Sequence, residues 1–162
     1  MRFDPDALLG SLPLREIKQV GGVRPRAPQI SEVLGSSLGQ AGEYNGFTKS
    51  ERNRTARLSG RLVQLGATTR PSICDICGSG ADDEHAENYY DLSRWIGLCK
   101  PCHRHALHNR FKRPLTWATL LDRYELPDEH WTRRLPMEPF DLAQLLRDRG
   151  AREPKLFDFV SD

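Results

Sequence analysis

Several features are missing from this 162-residue chain, and each absence removes a class of answer. No apolar run is long enough to cross a membrane as a helix. The opening Met1-Arg2-Phe3-Asp4-Pro5-Asp6 is polar and does not resemble a secretory leader, so a reducing, cytoplasmic location is expected. There is no internal repeat and no low-complexity tract, which leaves no sign of a repeat array. Apolar residues make up only 38% and mean hydropathy is −0.61, lean for a single large core. Net charge is only +2, which by itself selects no partner. Its distribution says more. Residues 121–162 carry seven Lys or Arg against ten Asp or Glu, whereas residues 1–120 carry 17 against 12. Between residues 100 and 113 there are five Lys or Arg and no acid.

Cysteine is also scarce, and all four occur in two Cys-x-x-Cys pairs. Cys74-Asp-Ile-Cys77 and Cys99-Lys-Pro-Cys102 are separated by 21 residues. Two residues between thiolates let a tight turn aim both sulfurs at one ion, so the spacing fits a structural four-cysteine Zn²⁺ site. Gly78 follows the first pair, where such a turn needs positive φ. Pro101 falls where a helix would open and costs no helical hydrogen bond. Two disulfides, four free thiols or a redox pair are the other readings of the same residues. A reducing compartment disfavours disulfides, and a metal staple suits a lean core.

Outside the cysteine frame, residues 1–47 read as a poorly ordered arm. Asp4-Pro5 can open a short helix, Gly21–Pro28 reads as linker, and glycines at 35, 39 and 42 continue the breaks. Thr48-Lys-Ser-Glu51 is a capping box that should start a basic amphipathic helix over 48–66, with Leu58, Leu62 and Leu65 on one face. Glu84–Tyr90 and Leu92–Leu98 read as two short strands, with Trp95 and Ile96 available for a small core. Alternation puts His85, Glu87 and Tyr89 on one strand face. A helix is expected from Pro101 to Phe111, with His105 and His108 on one face. Asp82 and Asp83 read as a solvated loop. In 114–162, Trp117, Leu120, Leu121 and Tyr124 mark an amphipathic helix. Pro127 and Pro136 bracket a short helical piece, and Asp141 caps a last helix that stops at Gly150.

The segments Glu84-His85-Ala-Glu-Asn88 and Leu98-Cys99-Lys-Pro-Cys102-His103 together resemble the HNH endonuclease family, over roughly residues 72–113. The resemblance implies an α+β fold: a small zinc-stapled treble-clef (ββα-metal, HNH-like) core over 67–113, flanked by an N-terminal helix and C-terminal helices. It implies Cys74, Cys77, Cys99 and Cys102 as zinc ligands, His85 as general base, and Glu84 and His103 as ligands of a catalytic Mg²⁺ or Mn²⁺. The family's orienting Asn has no counterpart: its usual position, about five residues before the third cysteine, is Arg94. A variant geometry would let His85 and Glu87 meet a metal together with His103 or His108.

Two functions follow as expectations. The first is a metal-dependent endonuclease hydrolysing phosphodiester bonds in DNA. The second is a catalytically degenerate HNH-like zinc protein acting as a DNA-binding or regulatory protein-interaction module. Either way, the expected partner is nucleic acid, duplex DNA in the first instance, and not a membrane. The expected contacts are Arg52, Arg54, Arg57, Arg104, His108, Arg110, Lys112 and Arg113, because guanidinium and ammonium groups pair with phosphate. The N-terminal arm or the C-terminal helices are expected to serve any homo-oligomer or protein partner.

Overall fold

A computed structural model describes residues 2–21 and 42–161. Most of the linker and glycine-rich stretch of the expected arm lies outside the described residues. The chain mixes helices with two small two-stranded sheets and divides into two compact units.

The first unit comprises Met1–Leu14, Arg70–Glu87 and Arg94–Phe140. Helix α1 (Pro5–Ser11) opens on Asp4, whose carboxylate accepts from the amides of Asp6 and Ala7, with Pro5 at the first helical position. It buries Leu8. The first cysteine pair lies on a turn closed by Gly78 N–H donating to Cys74 O (2.9 Å) and Cys74 N–H donating to Ser79 O (2.7 Å). Gly78 takes φ +77°, which only glycine adopts cheaply. A hairpin then joins β2 (Asp83–His85) to β3 (Ile96–Leu98), antiparallel, pairing Asp83 with Leu98, Glu84 with Gly97 and His85 with Ile96. Gly97 is required by contact: a Cβ there would lie 2.8 Å from both Ile73 O and Pro71 Cβ. That close approach seats the first knuckle against β3, and Asp75 N–H donates to Gly97 O at 2.9 Å.

The strands are shorter than expected. β2 ends at His85, so Glu87, Asn88 and Tyr89 are not strand residues. Leu92–Arg94 is a 3₁₀ turn rather than strand. Local side chains compete with the ladder here: Asn88 Oδ1 accepts from Tyr90 N (2.8 Å) and Asp91 Oδ1 from Ser93 N (3.0 Å). From inside the second cysteine pair the chain forms a π-helical turn, Pro101–Ala106, which includes Cys102, and then a 3₁₀ turn, Leu107–Asn109, in place of one α-helix to Phe111. Helix α3 (Pro114–Arg123) follows, burying Trp117 and Leu121. A 3₁₀ turn, Trp131–Arg134, buries Trp131 and Thr132.

The second unit comprises Arg15–Thr69, Asn88–Ser93 and Asp141–Asp162. Helix α2 (Lys49–Gln64) starts on the capping box: Glu51 N–H donates to Thr48 Oγ1 (3.1 Å) and Thr48 N–H to Glu51 Oε2 (2.9 Å). Leu62 is its most buried apolar residue. Phe47 packs against the rings of Tyr89 and Tyr90. Helix α4 (Leu142–Asp148) is capped by Asp141 and buries Leu142, Ala143 and Leu146. β1 (Val20–Gly21) and β4 (Val160–Ser161) pair in parallel. No helix among the described residues is long and apolar enough to cross a membrane.

Candidate metal centre

Two clusters of ligand-type side chains lie in the first unit. In one, the sulfurs of Cys74, Cys77, Cys99 and Cys102 all lie within 4.8 Å of one another. Cys77 and Cys99 are 3.7 Å apart. A tetrahedral zinc with Zn–S bonds of about 2.3 Å puts its sulfurs about 3.8 Å apart, so this separation is compatible with zinc. Three of the four cysteines are buried and Cys77 is half-buried. Burial raises the Cys74 thiol. Burial also pushes Cys102 far up, reinforced by its thiol neighbours. Cys77 goes the other way, to about 7: burial opposes the shift, but hydrogen bonds with Ser79, Cys74 and Cys99 together outweigh it. Four thiols packed this closely cannot all ionise without a cation among them.

The second cluster is built from histidine. His85 Nδ1 lies 3.1 Å from His103 Nε2, and His108 Nε2 lies 3.0 Å from the same His103 atom. Each of the first two rings is backed by a carboxylate. His85 Nε2 meets Glu87 Oε2 at 2.5 Å, and His103 Nδ1 meets Asp83 Oδ2 at 2.9 Å. A carboxylate accepts, so each ring's proton lies on the nitrogen facing the acid. The opposite nitrogens, His85 Nδ1 and His103 Nε2, then present lone pairs to each other. Two such lone pairs at 3.1 Å repel unless a proton or a metal ion lies between them. Three imidazoles around a tetrahedral zinc put their nitrogens about 3.3–3.4 Å apart, a few tenths wider than seen here.

The burial of this cluster is graded. His85 is 2% exposed and Glu87 is fully buried, whereas His108 is exposed. Burial, and after it the electrostatic effect of the adjacent His85 ring, pushes His103 down to about 4. Asp83 is opposed by its own burial, yet hydrogen bonds from Arg104 and His103 hold it below the usual carboxylate range. Arg104 grips Asp83 with two bonds, Nε to Oδ2 at 2.9 Å and Nη2 to Oδ1 at 3.0 Å.

The structure thus brings together His85, Glu87, His103 and His108, but not Glu84. Strand alternation turns Glu84 to the other face of β2, where it accepts from Arg70 at 3.1 Å. Asp83, read from sequence as a solvated loop residue, belongs to the cluster; the available signal was its place two residues before His85, on the same strand face. His105 does not join His108. The pair is His103 and His108, which an α-helix would set about 140° out of phase. The π turn followed by a 3₁₀ turn rotates them into register. Nothing in residue spacing announces a π turn.

The basic residues separate into those that are exposed and those that are engaged. Lys112 and Arg113 are exposed. Arg110 is not a phosphate contact: it is 1% exposed and donates to Pro136 O (2.9 Å) and Leu107 O (3.1 Å). Arg104 is held by Asp83, and Arg54 by both oxygens of Glu153 at 2.7 and 3.0 Å. Arg52 donates to Gly42 O and lies over the Tyr44 and Tyr89 rings. Arg57 is half-buried. Arg94 donates to Leu12 O. Comparison with protein-family models, with curated proteins and with solved structures returns no match.

Proposed function

We propose that this chain is a metal-dependent endonuclease acting on DNA, with a treble-clef, HNH-like core. In this reading a structural zinc is held by Cys74, Cys77, Cys99 and Cys102. A second divalent ion is held by His85, His103 and His108. The observation that carries the proposal is the convergence of three imidazoles, two of them backed by carboxylates, at a point where one ring is exposed. Four thiolates saturate a tetrahedral ion, whereas three imidazoles leave a position for water or substrate. A divalent ion bound there activates water and offsets charge on phosphate oxygens.

The roles differ from those implied by the resemblance. His85 has both ring nitrogens engaged and almost no exposure, so it serves as a ligand rather than as general base. Glu87 fixes the His85 ring, the task given to the family's Asn. Asp83, clamped by Arg104, fixes His103. An all-imidazole set favours zinc, nickel or another transition ion over Mg²⁺, which prefers oxygen. Lys112 and Arg113, exposed just beyond the histidine-bearing turn, supply positive charge for the phosphate backbone.

The test is plasmid cleavage by the zinc-loaded protein with Mn²⁺, Ni²⁺, Zn²⁺, Mg²⁺ or chelator. Nicking that depends on added metal and is lost in His103→Ala supports the reading. Salt-sensitive DNA binding without cutting under any metal favours the catalytically degenerate module, to which the engaged Arg94 at the Asn position also points. Neither binding nor cutting ends the nucleic-acid readings and favours the protein-interaction module.

A further inference from the structure

The proposed three-histidine site rests on a side chain that does not touch the ion. Trp131 is 1% exposed, and its indole stacks on the His85 ring with centroids 6.1 Å apart and planes at 24°. Glu87 and His103 hold the two ring nitrogens of His85. The buried, near-parallel indole adds a flat wall along one face of the ring, which neither of those bonds supplies. The indole is itself anchored. Its Nε1–H donates to Asp75 Oδ2 at 2.5 Å. The same oxygen meets His130 Nε2 at 3.1 Å, and His130 Nδ1 pairs with Thr132 Oγ1 at 2.7 Å. Asp75 lies inside the first Cys-x-x-Cys pair, and its backbone amide is tied to Gly97 O.

We infer that Trp131 is a positioning residue for the three-histidine site, and that Asp75 acts through it, linking the cysteine knuckle to the orientation of His85. The chain of contacts runs from the Cys74–Cys77 turn through the Asp75 carboxylate and the Trp131 indole to the imidazole. All of these residues belong to the first unit. Asp75 therefore has a second task. Besides filling the gap between two cysteines, it sets how firmly the histidine site is held. This inference rests on the second ion of the proposed function.

The experiment titrates zinc-loaded protein with Co²⁺, following its visible absorption, and compares Trp131→Phe, Asp75→Ala and the double variant. Zinc content and thermal midpoint are measured alongside. Phe keeps an aromatic face but loses the N–H, so Co²⁺ affinity at the histidine site is expected to fall roughly tenfold, the lower end for lost outer supports. Asp75→Ala is expected to fall by a similar factor, and the double variant no further than Trp131→Phe alone. Asp75→Asn keeps an acceptor and should restore most of the affinity. If Asp75→Ala does not fold, Trp131→Phe carries the measurement by itself. Additive losses in the double variant, or unchanged affinity in Trp131→Phe, would overturn the inference while leaving the ion site standing. Absence of any Co²⁺ site lost in His103→Ala overturns the proposed second ion instead.

Discussion

The two ligand clusters of the first unit are built on opposite plans. The cysteine cluster has four donors of one kind, three of them buried, on two tight turns close in sequence to their own partners. The histidine cluster has three donors, drawn from β2, from the π turn and from the 3₁₀ turn after it. It runs from a fully buried carboxylate at Glu87 to an exposed ring at His108. A closed set of thiolates suits an ion that holds the fold. An open set of imidazoles, two of them oriented by an acid, suits an ion that meets something from outside. The contrast teaches that the number and exposure of donors, not their mere clustering, separates a staple from a reactive site.

The sharpest way to break the contrast is to remove one donor from each side. Cys99→Ser is expected to unfold the first unit, because a structural zinc supplies on the order of 10 kcal/mol or more of folding free energy. Circular dichroism and zinc content report it, and a folded zinc-free variant would make the staple reading wrong. His103→Ala should abolish binding of the proposed second ion and the proposed cutting, yet leave zinc content unchanged and the thermal midpoint within a few degrees. Asp83 keeps its pair with Arg104 in that variant, so no buried acid is stranded.

Smaller effects sharpen the same comparison. Glu87→Gln should weaken the second ion by about 10–100-fold without touching the cysteine site, as read by Co²⁺ titration. Acidification should separate the two as well. His103 is pushed from 6.5 to about 4 by burial and by His85. Its folded state therefore resists a proton that the unfolded chain accepts. In protein without the second ion, this group's stabilising contribution is full above 6.5 and is lost as pH falls from there toward 4. Denaturant melts across that window check the sign, and His103→Ala should flatten the slope. The smallest effects belong to the surface. Lys112→Ala and Arg113→Ala should each lower the slope of log affinity for DNA against log salt by about 1. Arg110→Ala should act on folding instead, since its guanidinium holds Pro136 O and Leu107 O.

Local signals in the sequence determined a good deal. The spacing of the cysteines, the glycine after the first pair, the capping residues Asp4, Thr48 and Asp141, and the apolar stripe of Trp117 and Leu121 are written within a few residues of one another. Their physics is equally local: a turn that aims two sulfurs, a hydroxyl that meets an amide three residues on, a helix face. The pairing of His103 with His108 is of another kind. It depends on one π turn, and five-residue spacing argues against it in any regular helix. The shortening of β2 and β3 turns on Asn88 and Asp91 capturing nearby amides in place of ladder partners. Asp83 reaches His103, and Asp75 reaches Trp131, across 20 and 56 residues of chain. Arg110 looks, in sequence, like its neighbours Lys112 and Arg113, and only packing turns it inward. Sequence alone fixed which side chains were available and where helices began. Tertiary structure decided which of them meet, because a lone pair, a buried guanidinium or a stacked indole takes its meaning from atoms that the chain brings back from far away.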